Sequence, residues 1–166
     1  DPKIAEAINV QIGSELFSSN AYLSMAAYFE AESFVGFSKW VPVKSDEERA
    51  HAMKIYNNLR DRGGIVKLPG LDAPRSDFSS PLDVFQASLS QEQDVTRGIH
   101  SIYKLAHEEA DYATVSFLKW FIDEQVEEEK NVSDMIEKLK RAGDNPETML
   151  LLDRYAMERK AESEAD

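Results

Sequence analysis

The sequence predicts an all-α fold, a bundle of four long helices with one long crossover loop and a short fifth helix at the C-terminal end. Three observations lead there. No alternation of apolar and polar residues runs long enough to make a strand. Proline and glycine fall at the borders of long stretches in which apolar residues recur every three or four positions. One connection between those stretches is too long for a hairpin and is rich in turn residues.

The first helix is expected over about residues 2–32. Asp1-Pro2 supplies an N-cap and a proline at the first helical position, and Ile4, Ile8, Ile12, Tyr22, Ala26 and Phe29 form the stripe. The second covers about 34–61 and ends at Arg60, Arg62 and Gly63-Gly64, basic residues followed by glycine. Pro42 lies inside it, removes an amide donor and presses on the Ser38 carbonyl, at a cost of about 3 kcal/mol unless the helix kinks. A kink between about Ser38 and Pro42 is therefore expected.

The crossover loop, 63–80, carries Pro69, Gly70, Pro74 and several aspartates, and its length lets the second and third helices run parallel. Ser80-Pro81 opens a third helix to about 107, with Val84, Ser88, Val95, Ile99, Ile102 and Ala106 on one face. The fourth, about 111–142, stops at Gly143 and turns Phe117, Leu118, Phe121, Ile122, Val132, Met135, Ile136 and Leu139 inward. Asn145-Pro146 opens the fifth, about 146–158, with Met149, Leu150, Leu152 and Tyr155; the charged tail after Arg159 is expected to fray. At 166 residues the chain suits a single domain, 1–166, with one well-buried core.

Composition narrows the chemistry. There is no cysteine, which excludes disulfides, thiolate metal sites and cysteine nucleophiles, so any metal must be held by oxygen and imidazole. The net charge of -12 disfavours nucleic acid and anionic membranes as partners and suits a protein that attracts cations. No apolar run approaches the roughly 18 residues of a spanning helix. The N-terminus lacks the basic flank and apolar stretch of a secretory signal, so a cytoplasmic location is expected.

Several acids interrupt the apolar stripes. Glu15 continues the row of Ile8 and Ile12 toward Ser19 and Tyr22. Glu48 and His51, spaced i, i+3, fall between Val41 and Ile55 on the inward face of the second helix. Glu92 lies between Ser88 and Val95, and Gln125 with Glu128 fills the gap between Ile122 and Val132. Alone, each has an ordinary explanation: a Glu-x-x-His on a helix is usually a solvated pair, and a tyrosine such as Tyr22 is usually core. Together, four helices turning carboxyl or amide oxygens inward need a cationic reason, because an unpaired buried carboxylate costs several kcal/mol or takes up a proton. A pair of hard or borderline ions such as Fe, Mn or Zn supplies one.

These residues resemble the ferritins over nearly the whole chain. Glu15-Leu16 through Asn20-Ala21-Tyr22-Leu23-Ser24-Met25 is similar to the family's first-helix motif, Asp46-Glu47-Glu48-Arg49-Ala50-His51-Ala52 to the second and Glu124-Gln125-Val126-Glu127-Glu128-Glu129-Lys130 to the fourth. The resemblance implies a ferritin-like bundle that stores iron and oxidises Fe(II) to Fe(III) with O2 or peroxide. One iron would be held by Glu15, Glu48 and His51, the second by Glu48, Glu92 and Glu128, with Gln125 beside them and Glu48 bridging. Bacterial and archaeal non-haem members add a third iron, for which Glu47, Glu124, Glu127 and Glu128 occupy the ligand positions. Tyr22 matches the tyrosine beside the centre, and Trp120 resembles an aromatic position of the bacterial members. The family also implies a hollow homo-oligomer of 24 subunits.

The departures are informative. Arg49 stands where bacterioferritins carry their haem-ligating methionine, and Gln125-x-x-Glu128 replaces their second Glu-x-x-His, so no haem is expected. Val115 and Leu118 stand where animal ferritins place the acidic pair of their three-fold channel. A di-iron peroxidase or haem-free bacterioferritin-like protein of the same superfamily and a helical scaffold with vestigial carboxylates are the competing readings; the scaffold predicts no Fe(II)-dependent oxygen consumption and no loss when Glu48 becomes Ala.

Overall fold

The computed structural model describes residues 1–158. Among them the chain forms α1 (Pro2–Ala31), α2 (Val35–Asp61), α3 (Pro81–Glu108), α4 (Tyr112–Ala142) and α5 (Pro146–Glu158), with no strand among the described residues. Every boundary falls within a residue of its expectation; the tail after Arg159 lies outside the described residues.

The helix ends follow local chemistry. Asp1 accepts from the Lys3 amide at 2.6 Å, Ser80 from Asp83 at 3.1 Å, Asp111 from Thr114 at 3.2 Å and Asn145 from Thr148 at 2.9 Å, each satisfying an orphan donor of a first turn. α2 has no such cap of its own, because Phe34 precedes it. Asp153 of α5 takes that place, accepting from Gly36 N at 3.0 Å and Phe37 N at 2.9 Å. A Cβ on Gly36 would collide with the Asp153 carbonyl, so glycine is what admits α5 here.

Of the apolar residues of α5, Met149 and Leu152 pack against the apolar core. Asp153 and Ala156 are its buried residues, whereas Leu150 is 67% and Tyr155 41% exposed. The polar N-terminus of α2 selects the face that α5 buries, and apolar periodicity does not report that choice. α2 remains one helix through Pro42, although the proline has no amide hydrogen to offer Ser38.

The crossover is pinned at several points. Asn9 donates to the Ile65 carbonyl at 2.9 Å and accepts from Lys67 N at 2.7 Å, Ser24 donates to the Arg75 carbonyl at 2.7 Å, and Arg75 forks onto Asp83. Arg62 at the end of α2 likewise forks onto Asp111 at 2.8 and 3.0 Å, and with Thr114 this holds the Asp111 carboxyl down at about 2.

The core divides in two. One apolar cluster gathers Met25, Phe29, Phe37, Trp40, Val84, Phe85, Met135 and Leu139; the other gathers Ile4, Ile8, Ile55, Leu59, Ile99, Ile102, Leu118 and Phe121. α2 and α3 both pass from the first cluster to the second, while α1 and α4 pass from the second to the first. Hence α2 and α3 run parallel, as the long crossover predicts. Between the clusters lies a buried polar layer supplied by all four long helices.

Candidate metal centre

The polar layer contains Glu15, Glu48 and Glu92, each fully buried, with Glu128, Gln125, His51 and Tyr22 at most 5% exposed. Helical periodicity puts them there, since each sits on the apolar stripe of its helix, a turn or so from core residues on either side. The Glu15 and Glu48 carboxylates and the His51 imidazole bring ligand atoms within 4.8 Å of one another, from two helices. His51 Nδ1 lies 3.9 Å from Glu15 Oε2 and 3.8 Å from Glu48 Oε1, too far to hydrogen bond and close enough to share an ion.

Their hydrogen bonding is incomplete in a telling way. Glu15 Oε1 accepts from Gln11 Nε2 at 2.8 Å, but Glu15 Oε2, both oxygens of Glu48 and His51 Nδ1 meet no hydrogen-bond donor of the protein, and the Glu15 and Glu48 carboxyls can bond only by sharing a proton. Buried polar atoms are nearly always paired, so unpartnered ligand atoms on three neighbouring side chains mark a place for a cation. Gln11 holds Glu15 from one turn below, and Gly98 of α3 makes room for it, because a Cβ there would meet the Gln11 amide oxygen.

On the other side, partners abound. Glu92 Oε1 accepts from the Tyr22 hydroxyl, which also shares a hydrogen bond of 2.8 Å with Ser88, and Glu92 Oε2 accepts from Gln125 Nε2 at 3.2 Å. Glu128 is paired with the Lys44 ammonium, itself 3.1 Å from Glu47. Sequence patterning overlooked Lys44, Gln11 and this role of Ser88. The signal was present: Lys44 lies four residues before Glu48 and Gln11 four before Glu15, each on the same inward row as its acid.

Electrostatics separate the groups. Burial pushes the Glu15 and Glu128 carboxyls up to about 7, against the pull of Gln11 and Lys44 respectively. Glu48 stands well above the ordinary range, through burial and then the nearby Glu92 and Glu15 charges. Burial holds His51 down at about 4, aided by Lys44, so its imidazole is neutral and available as a ligand near neutral pH. Burial also opposes the Lys44 charge, but Glu128, Glu47 and Glu92 outweigh it and its pKa rises.

The remaining expected residues are more dispersed. Glu124 is half-buried and Glu127 exposed, and among the described residues neither Glu48, Glu92 and Glu128 nor Glu47, Glu124, Glu127 and Glu128 bring three ligand atoms as close together as Glu15, Glu48 and His51 do. Burial and then Glu127 raise the Glu124 carboxyl. Trp120 stands edge-on to His51 at 5.4 Å between ring centres and carries the Lys54 ammonium 3.2 Å over its face. Val115 and Leu118 are buried in the second apolar cluster. No helix among the described residues is long and apolar enough to cross a membrane.

Known proteins match this arrangement closely. The model of the ferritin-like domain matches residues 5–142. A bacterial non-haem ferritin of Staphylococcus aureus is 44% identical over 151 residues, covering 91% of each chain, and one of Staphylococcus haemolyticus is 40% identical over 161 residues, covering 97% of each. The open-pore ferritin of Archaeoglobus fulgidus superposes with a TM-score of 0.95 at 41% identity, over 96% of this chain and 99% of that one. With its bundle, crossover and buried carboxylate layer, the chain belongs to the ferritin family.

Proposed function

We propose that this protein stores iron and acts as a ferroxidase, binding Fe(II) as substrate in the buried layer and releasing Fe(III) to a mineral inside a cage of 24 subunits. The observation that carries this reading is the set of orphaned ligand atoms gathered on Glu15, Glu48 and His51 in the buried layer. Glu15, Glu48 and His51 hold one ion; Glu48, Glu92 and Glu128 hold the second, with Gln125 orienting Glu92. Carboxylates and one neutral imidazole favour Fe(III) over Fe(II), which lowers the cost of oxidation. Each Fe(II) gives up one electron, and a pair reduces O2 to peroxide or peroxide to water. Tyr22, hydrogen bonded to Glu92, stands where it can fix that carboxylate or pass a hydrogen.

The single domain, residues 1–166, carries this chemistry. We further propose that Glu47, Glu124, Glu127 and Glu128 supply the ligands of a third iron, a reading supported by the effect of Glu127 and Glu47 on the Glu124 carboxyl. The ferritin names of the staphylococcal relatives and the archaeal neighbour support the storage reading. Adding Fe(II) anaerobically and then O2, with absorbance followed by stopped flow, tests it. Glu48→Ala and Glu128→Ala should each slow oxidation by roughly ten- to a hundredfold or more. Unchanged kinetics in both variants would overturn the site assignment.

A further inference from the structure

Lys44 belongs to no expected ligand set, yet its ammonium lies inside the centre. Its side chain is 8% exposed, bonded to Glu128 and 3.1 Å from Glu47, so it joins carboxylates of two helices. Both acids lie on the side where a third ion would sit. A carboxylate oxygen that accepts from an ammonium directs a lone pair at it, and an ammonium and a divalent ion repel too strongly at contact distance to share that oxygen. The lysine stem is long and flexible, so the charge can leave without movement of the helix.

We propose that Lys44 is a resident cation that fills the space between Glu47 and Glu128, and that a divalent ion enters this side of the centre only by displacing it. The resting protein therefore offers its open ligands at Glu15, Glu48 and His51 first, and the Glu47–Glu128 side loads later and more weakly. Lys44 is a positioning residue that sets the order and strength of loading. This rests on the ligand assignments made under Proposed function.

Anaerobic calorimetric titration of the assembled protein with Co(II), a redox-inert divalent probe, tests the idea. Lys44→Gln should tighten the later, weaker events by about tenfold or more and change the first, tight event much less, since Lys44 acts on His51 only through its charge. Lys44→Arg, which keeps the charge, should bind like the wild type. Later binding constants that do not change in Lys44→Gln would overturn the proposal while leaving the ligand assignments intact; absence of any tight Co(II) binding in the wild type would overturn those assignments and the proposal with them. If Lys44→Gln does not fold, reductive methylation of the wild type, read by mass spectrometry, decides. Lys44 should react slowly in the metal-free protein and at least about tenfold faster at saturating Co(II), and equal rates would overturn the proposal.

Discussion

The two sides of the polar layer are built from the same residue types and behave differently. On the side of Glu15, Glu48 and His51, four buried ligand atoms have no partner. On the side of Glu92 and Glu128, Tyr22, Gln125 and Lys44 donate to the carboxylates. The first side is held ready for an ion at a cost in stability; the second is satisfied by the protein itself. Residue identity alone does not make a carboxylate an open ligand. The neighbours that do or do not reach it decide.

The comparison breaks most sharply under mutation of the satisfied side. Glu128→Ala leaves the buried Lys44 ammonium without its main partner and should cost about 3–5 kcal/mol, read by chemical denaturation of the metal-free protein. A loss under about 1 kcal/mol would mean that Lys44 simply turns to Glu47 or to solvent.

On the open side the sign reverses. Glu48→Met removes two unpartnered oxygens and keeps an unbranched shape, so the metal-free variant should be more stable by about 1–3 kcal/mol at pH 7 to 8. The pH follows from its raised pKa: an unfolded Glu48 is ionised above about 4.5, and folding must either keep its proton or bury the charge. A destabilised Glu48→Met would show that the Glu48 carboxyl supports the metal-free fold and is not an open ligand.

Titration extends the same contrast. Glu15 has a folded value raised from 4.5 to about 7, so its contribution to the stability of the metal-free protein is fully present below about 4.5 and is lost as pH rises through about 7. His51 works the other way: lowered from 6.5 to about 4, it contributes stability above 6.5 that is lost as pH falls toward 4. Metal binding must expel the carboxyl protons. Co(II) affinity should therefore rise between pH 6 and 7 by about tenfold, with proton uptake by buffer visible in calorimetry in buffers of different ionisation enthalpy. A flat affinity over that interval would contradict protonated resting carboxyls.

The smallest effect is expected at Gly98. Gly98→Ala pushes a methyl against the Gln11 amide and loosens its hold on Glu15, so the first Co(II) should bind up to about tenfold more weakly, with little change in stability. An unchanged first binding constant would show that Glu15 does not depend on Gln11.

Much of this was legible in the sequence, and for physical reasons. Asp1-Pro2, Ser80-Pro81, Asp111 and Asn145-Pro146 mark helix starts because the side chains that satisfy first-turn amides are local. Glu15, Glu48, Glu92 and Glu128 were readable as buried because helical period alone fixes which row faces inward. The Lys44 pairing and the Asp153 cap were not, since each joins residues 84 or more positions apart and depends on which helices meet. A lysine on an inward row reads as surface until its partner is known. The effect of Glu47 on the Glu124 carboxyl shows the same limit, since it too joins two helices and helical period does not report which helices meet.

The central claim is that the unpartnered atoms of Glu15, Glu48 and His51 exist to hold iron. The most direct test is anomalous diffraction from crystals loaded anaerobically with Fe(II). An iron peak bound by both carboxylates and by the His51 ring, at about 2.0–2.2 Å from its ligands, is the expected result. Iron found only at exposed acids such as Glu127, with the Glu15–Glu48–His51 pocket empty at saturating Fe(II), would contradict it.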